Sequence, residues 1–160
     1  MGKKSTLSAG NVFYEARMAA ASWNDKLNSR EGAAENTGLD RTRLAYIELG
    51  TISPHPEEVL ILADAYNAPE LHNYFCSRVC PLGKQTIMPV ELQTLERTTL
   101  QLLFSLKDLP AAKDDLVAIA ADGIIDETEK PKMHSILTLL DETVVQIQAL
   151  KLFFEKHIKG

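Results

Sequence analysis

The sequence predicts an all-α protein. Along most of the chain the apolar residues recur three and four positions apart, which is the period of an amphipathic helix. Prolines and glycines lie mainly at the breaks between these periodic segments, and alternating runs of Val, Ile or Thr, which are typical of strands, are few. The composition, 45% hydrophobic and 24% charged, is that of a globular chain, and 160 residues can form one ordinary domain or two small ones.

The first ten residues, MGKKSTLSAG, are predicted to form a flexible tail. They lack the apolar core of a secretory signal, and no apolar run in the chain approaches the length that spans a membrane. The two cysteines fit a reducing compartment in which thiols stay free. We therefore expect a cytoplasmic protein with no membrane partner.

Residues 11–84 are predicted to form a first domain of five helices. The first helix covers residue 12 to about residue 24, and its apolar residues lie on one face. Those residues are Val12, Ala16, Ala19 or Ala20, and Trp23.

Two short helices follow within residues 29–50. Ser29 is a good N-cap for the first of them, and Thr37-Gly38 can end it, since glycine adopts the left-handed conformation freely. Asp40 caps the second helix, residues 41–48, and Gly50 ends it. The apolar residues that face inward from this second helix are Leu44 and Ile47. Two short helices joined by a three-residue turn with a glycine are typical of a helix-turn-helix.

Two further helices complete the predicted domain. The fourth has a broad apolar face and acidic residues in its first turn, where they suit the helix dipole. That face consists of Val59, Leu60, Leu62, Ala63 and Tyr66. Pro69 is well placed to start a fifth helix over residues 70–79, and residues 84–88 are predicted to be a short linker.

The segment of residues 29–54 resembles the lambda-repressor-like, Xre-type helix-turn-helix family. The matching positions are Ser29, Ala34, Gly38, Leu39, Leu44, Ile47, Glu48, Gly50 and Pro54. The likeness covers roughly residues 12–66, and it implies a five-helix DNA-binding domain. It also implies an internal ion pair between Arg17 and Glu48. Several residues more than in the family pattern separate Arg17 from Ser29, so a solvated Arg17 is the alternative.

The resemblance also assigns a DNA-binding surface. In this family the exposed face of the second short helix meets base edges in the major groove, and here that face carries Arg41, Thr42 and Tyr46. Arginine can bind guanine through two hydrogen bonds, and the methyl group of threonine suits a thymine methyl. Arg30 and Arg43 are expected to contact phosphates. The alternative is a helix-turn-helix that serves only in packing.

The charge of the chain argues mildly against nucleic acid, because phosphate binding depends on Lys and Arg and the net charge is −5. The distribution weakens this argument. Residues 1–84 contain nine basic and ten acidic side chains, whereas residues 85–160 contain eight and twelve. The nearly neutral first half carries its basic groups beside the expected DNA-binding surface. For DNA binding, the local electrostatic field matters more than the total charge of the chain.

Residues 85–160 are predicted to form a helical dimerisation region. Helices are expected over residues 89–109, 111–121 and 126–157, arranged as a hairpin. The last one carries an apolar stripe close to a heptad seam. Its members are Met133, Ile136 or Leu137, Leu140, Val144, Ile147, Leu150 or Lys151, Phe154 and Ile158. Such a hairpin can bind a second copy, and the alternative is that it folds back on the first domain.

Two other clusters could carry chemistry. His72, Cys76 and Cys80 are four residues apart, a spacing that could present soft ligands to a metal or allow a thiol sensor, but small buried apolar groups are the preferred interpretation. Residues 122–129 are similar to the second half of a calcium loop. Ala118 and Ala120 occupy the positions of its first carboxylates, so a helix–helix turn is expected instead.

The four histidines are scattered along the chain, and no Ser or Cys lies in a nucleophile motif, so the sequence predicts neither an enzyme nor a bound cofactor or small-molecule ligand. The function expected from the resemblance is that of a bacterial or phage-type transcriptional regulator. As a homodimer it would bind double-stranded DNA at a roughly palindromic operator. The alternatives are a helical protein-interaction module and a thiol or metal sensor that uses Cys76 and Cys80.

Overall fold

The structure, a computed structural model, describes residues 10–158. These residues form helices, turns and loops without a strand, which confirms the all-α class. All of the predicted flexible tail except Gly10 lies outside the described residues. The chain divides after Pro89 into two compact units, which we call unit 1 (residues 10–89) and unit 2 (Val90–Ile158). The division predicted from the sequence was after residue 84.

Unit 1 begins with helix α1, Val12–Ala20, which ends earlier than predicted. The Asn11 side chain caps it by accepting hydrogen bonds from the backbone N–H groups of Phe13 and Tyr14, at 3.0 and 3.2 Å. A 3₁₀ turn, Asp25–Asn28, then leads to the next helix. The additional residues between Arg17 and Ser29 therefore form a structured connection and not a longer helix.

Helices α2, Arg30–Thr37, and α3, Arg41–Glu48, have the predicted boundaries. The Ser29 hydroxyl accepts a hydrogen bond from the Gly32 N–H at 3.0 Å, so it is the expected N-cap. Gly38 ends α2 with φ +73°, a conformation that favours glycine. The Asp40 carboxylate caps α3 through the Arg43 N–H at 2.9 Å.

Helix α4 is Pro56–Ala65, and α5, Glu70–Tyr74, continues as a π-helical turn, Phe75–Val79. Leu60 is exposed, so the apolar face predicted for α4 was too broad. The predicted linker is partly helical, because α6 covers Gly83–Thr86. A Cβ at Gly83 would lie 2.1 Å from the Cys76 carbonyl oxygen, so only glycine lets α6 pack this closely on the π-helical turn.

One continuous apolar cluster forms the core of unit 1. It includes buried residues from α1 to α5 and from the 3₁₀ turn, so each of these elements contributes to the same core. The buried members are Phe13, Ala20, Ala21, Leu27, Ala33, Leu44, Ile47, Val59, Leu62, Ala63, Tyr66, Ala68 and Leu71. The inward positions predicted for α3, Leu44 and Ile47, are confirmed.

Unit 2 contains helices α7, Leu95–Lys107, α8, Leu109–Ile119, and α9, Lys130–Ile158. One groove is lined by the first part of α7 and the last part of α9, and another by the last part of α7 and the middle of α9. The two long helices are therefore antiparallel. No helix in residues 10–158 is both long enough and apolar enough to cross a membrane.

Two of the predicted helix starts in unit 2 were wrong by four residues or more, and α8 begins two residues before the predicted residue 111. Helix α7 begins after Thr94 and not at Pro89, because the Thr94 hydroxyl caps it by accepting from the Arg97 N–H at 3.4 Å. Helix α9 begins at Lys130 and not at Asp126. The Asp126 carboxylate accepts from the N–H groups of Thr128 and Glu129, at 2.7 and 3.0 Å, and this turn precedes the helix.

Candidate nucleic-acid interface

Helix α3 is attached to α1 by an ion pair in the core of unit 1. Arg17 Nε lies 2.5 Å from Glu48 Oε1, and Arg17 Nη2 donates to Glu48 Oε2 at 3.0 Å. The two side chains are 3% and 0% exposed. The predicted pair is therefore confirmed, and the alternative of a solvated Arg17 is wrong.

The structured connection after α1 also binds Arg17. Arg17 Nη1 donates to the Leu27 carbonyl oxygen at 2.7 Å, and the Arg17 guanidinium lies 5.4 Å from the centre of the Tyr14 ring. Burial by itself lowers the pKa of Arg17, but the hydrogen bonds and the charge of Glu48 outweigh burial, so the pKa is raised. The guanidinium is consequently a permanent positive charge that neutralises Glu48 inside the domain.

Tyr66, which was predicted only as a residue of the apolar face of α4, lies beside this ion pair. Its side chain is buried, and its hydroxyl has no hydrogen-bond partner among the described residues. Burial first, and the charge of Glu48 second, raise the pKa of Tyr66. The phenol therefore stays neutral and packs as a large core residue.

Arg30, expected to contact phosphate, shares the same carboxylate. Its Nε donates to Glu48 Oε2 at 2.7 Å, and about a quarter of its side chain, 26%, is exposed. Glu48 thus joins the first turn of α2 to the last turn of α3. This contact fixes the position of the two short helices relative to each other.

Arg43 connects α3 to α4. It donates to both carboxylate oxygens of Glu58, through Nε to Oε1 and through Nη2 to Oε2 at 2.8 Å. The hydrogen bonds from Arg43 are the main reason that the pKa of Glu58 is lowered, and the same bonds raise the pKa of Arg43. Glu58 also accepts from the His55 N–H at 2.6 Å, so one carboxylate caps α4 and binds α3.

The outer face of α3 carries the other three expected DNA-binding residues. Arg41, Thr42 and Tyr46 are all exposed, Arg41 by 61% and Tyr46 by 48%. Arg41 Nε lies 2.6 Å from Glu31 Oε1 of α2, in an ion pair that is open to solvent. The pKa of Glu31 is lowered by its own backbone hydrogen bond and by Arg41. Exposed pairs of this kind contribute little to stability.

The five expected DNA-binding residues therefore divide into two sets. Arg41, Thr42 and Tyr46 lie together on one exposed helix face. Arg30 and Arg43 hold carboxylates inside the unit and are only partly exposed. Sequence reasoning could not find these two ion pairs, because Glu48 and Glu58 are distant in sequence and only the packing of the helices brings them close.

The cysteine cluster differs from the expectation. Cys76 is exposed and Cys80 is partly buried, so the interpretation of both as buried apolar groups was wrong for Cys76. Both are free thiols, and the Cys80 sulfur accepts a hydrogen bond from the Gly83 N–H at 3.5 Å. Within residues 10–158, no three His, Cys, Asp or Glu side chains are grouped so that they could hold a metal ion.

Comparison of the chain with protein-family models, with curated protein sequences and with solved structures returned no significant match. The geometry of α2 and α3 and the residues on their surface are therefore the basis for a functional assignment.

Proposed function

We propose that the chain is a sequence-specific DNA-binding transcriptional regulator. In this proposal unit 1 is a lambda-repressor-like helix-turn-helix domain, and α3 enters the major groove of duplex DNA. The protein acts as a homodimer on a roughly palindromic operator.

The observation that carries the proposal is the division of α3 into two faces. Leu44, Ile47 and Glu48 are buried on one side, while Arg41, Thr42 and Tyr46 project from the other. A recognition helix needs this arrangement, because base readout requires side chains held in a fixed position on a rigid support. The ion pairs of Glu48 and Glu58 supply that support on both flanks of α3.

Each residue has a specific role in the proposal. Arg41 leaves Glu31 and donates two hydrogen bonds to guanine, Thr42 contacts a thymine methyl, and Tyr46 packs against the groove wall. Arg30 and Arg43 remain at the edge of the surface and contact phosphates while they hold Glu48 and Glu58. Their sites are partly exposed, which is compatible with both tasks.

A homodimer compensates for the acidic composition. One copy offers few basic groups near α3, and Glu31 and Asp40 lie among them. Two linked copies bind two half-sites, and the second binding event then gains from a high effective concentration. The half-sites are expected about one helical turn apart, roughly 34 Å between centres.

The test is selection of bound sequences from a random duplex pool by the full-length protein. We expect an enriched site with two related half-sites, and binding that weakens steeply with salt. Arg41→Ala should remove the preference at one base pair of each half-site, with a loss of about 1–3 kcal/mol on the selected site.

Arg97→Ala is the matched control, because Arg97 is an exposed arginine on α7 of unit 2. It should leave the selected sequence and its affinity unchanged. The proposal fails if no sequence is enriched. The assignment of Arg41 fails if Arg41→Ala weakens binding to unrelated sequences by the same factor.

A second function, that of a protein-interaction module, is favoured by the apolar surface of unit 2. Large side chains such as Phe104 and Val117 are exposed by 73% and 66%. Surfaces of this kind are typical of partner binding. Capture of a different protein that does not depend on salt, without enrichment of any DNA sequence, would favour this function over DNA binding.

A further inference from the structure

Helix α9 has two apolar faces and not one. Its buried face, which includes Ile136, Thr143 and Ala149, belongs to the interior of unit 2. A second row of side chains is exposed, although its members are large and apolar. These are Leu137, Leu140, Val144, Ile147, Phe154 and Ile158, and each is between 38% and 65% exposed. We call this row, together with Lys151, the α9 seam.

The spacing of the α9 seam is that of a coiled coil. Its seven positions, 137, 140, 144, 147, 151, 154 and 158, alternate steps of three and four residues without interruption. A strict repeat of this kind keeps one stripe facing a partner helix along its whole length. The stripe extends over most of a helix of 29 residues, about 43 Å. An unpaired heptad stripe of this length fits a second long helix better than a small ligand.

The core of unit 2 is small, and the α9 seam lies outside it. Its buried apolar residues are Ala112, Ile119, Ile136, Ala149 and Leu152, and two of these are alanines. A unit of this size normally buries a larger core or associates with another chain.

One charged residue of the α9 seam restricts the geometry of pairing. Lys151 is exposed at a core position of the heptad, and Asp141 is exposed beside Leu140, about ten residues earlier on the same helix. In a parallel, in-register pair the two Lys151 side chains would face each other, which is repulsive. In the antiparallel register that pairs Val144 with Ile147 of the partner subunit, these two residues form the central layers. Lys151 then lies beside Leu140 and Asp141 of the partner subunit.

We propose that two copies of the chain associate through the α9 seam, with the two α9 helices antiparallel. Lys151 of each copy then forms an ion pair with Asp141 of the partner subunit, twice in each dimer. The inference rests on the homodimer of the proposed function and names the surface and orientation that produce it. Two-fold symmetry follows directly, because the same seam is used by both copies.

The first test is sedimentation velocity of the full-length protein over a range of concentrations without DNA. The unchanged protein should be a dimer. Val144→Glu places a charge in the central layers at two symmetric positions, so the dissociation constant should rise by at least about a hundredfold. Because Val144 is exposed in the single chain, this change removes no contact within unit 2. At a protein concentration where the variant is still dimeric, its helical content measured by circular dichroism should therefore equal that of the unchanged protein.

Val117→Glu is the matched control, since it is the same substitution at an exposed valine of α8, outside the α9 seam. It should leave the dimer intact. The proposal is overturned if the unchanged protein is a monomer, if it forms larger assemblies, or if Val117→Glu and Val144→Glu weaken the dimer equally.

The second test addresses orientation through exchange of charges. Lys151→Glu and Asp141→Lys should each weaken the dimer by about tenfold, and the double variant should restore it, because each subunit then again faces an opposite charge. In a parallel pair the two positions are about 15 Å apart along the helix, and the double variant would not recover. Failure to recover therefore overturns the antiparallel arrangement.

These measurements are independent of DNA binding. A dimer that responds to the seam variants but enriches no DNA sequence supports this inference and contradicts the proposed regulator. A monomer that still selects a DNA sequence contradicts this inference and leaves recognition by α3 in place.

Discussion

The two units of this chain bury apolar surface to very different extents. Unit 1 contains thirteen buried apolar residues in one cluster, whereas unit 2 contains five. Unit 1 also buries a charge pair within that cluster, Arg17 with Glu48. In unit 2 the buried polar groups are hydroxyls such as Thr98, whose oxygen has no hydrogen-bond partner among the described residues. Unit 1 therefore has the larger core within one chain, and unit 2 has the smaller.

The difference matches the two tasks we propose. A surface that reads DNA must be rigid before it binds, so its support lies within one chain. A dimerisation surface must stay apolar and open in the single chain, because its core is completed only by the partner. The stability of unit 1 should therefore depend on its internal contacts, and that of unit 2 on protein concentration.

The largest effect is expected from breaking the buried charge pair. Glu48→Ala leaves Arg17 buried without its carboxylate and also removes the partner of Arg30 Nε, which should lower the free energy of unfolding of unit 1 by about 3–5 kcal/mol. Urea unfolding followed by the fluorescence of Trp23, the single tryptophan, reports on this unit. Glu35→Ala, an exposed change on α2, is the control and should have little effect. A loss below about 1 kcal/mol for Glu48→Ala would contradict a structural role for the pair.

The second largest effect is expected on the stability of unit 2 when the protein concentration is varied. If unit 2 is completed by a second copy, each tenfold rise in protein concentration should stabilise it by about 1.4 kcal/mol. Trp23 fluorescence should show an unfolding midpoint for unit 1 that is nearly constant, while the circular dichroism of the helices should contain a second transition that moves upward. If the midpoints of both transitions stay constant as the protein concentration changes, unit 2 does not depend on a partner.

Acid should weaken the ion pair between α3 and α4. The pKa of Glu58 is lowered in the folded chain, so its contribution to stability is complete above the pKa of the unfolded chain, about 4.5, and is lost as the pH falls through the lower folded value. Glu58→Gln should lower the free energy of unfolding of unit 1 at pH 7. It should also make that free energy depend less on pH between pH 5 and pH 3.

Glu57→Gln at the exposed neighbouring position is the control for the acid measurement. It should leave the pH dependence of unit 1 as it is. If Glu58→Gln and the unchanged protein lose stability in parallel on acidification, the Arg43–Glu58 pair is not the acid-sensitive contact.

The sequence predicted the local features of unit 1 well. The caps Ser29 and Asp40 and the left-handed Gly38 were recognisable, because each depends on its own backbone and on residues a few positions away. The Arg17–Glu48 pair came from the family resemblance and not from spacing. The contacts of Arg30 and Arg43 could not be predicted, since their carboxylates are brought near only when helices pack.

Unit 2 was predicted less accurately for a related reason. Apolar residues continue ahead of α7, and acidic residues of the kind found in a first helical turn precede α9, so Pro89 and Asp126 were predicted as helix starts. Capping by Thr94 and the turn at Asp126 place the starts later. Periodicity also could not separate the two apolar faces of α9. Residues such as Ile136 and Leu137 are neighbours in sequence, but the first is buried and the second is exposed.

The smallest effect is expected at the surface of α3. Glu31→Gln removes the carboxylate that holds Arg41, and because both side chains are exposed the free energy of unfolding should stay unchanged within error. DNA affinity should nevertheless rise a few-fold, since Arg41 no longer has to leave an opposite charge before it meets a base. Glu35→Gln changes the net charge equally on the same helix without touching this pair, and it serves as the control in a binding titration at fixed salt. If both variants bind more tightly by the same factor, the gain comes from net charge alone, and the release of Arg41 does not contribute.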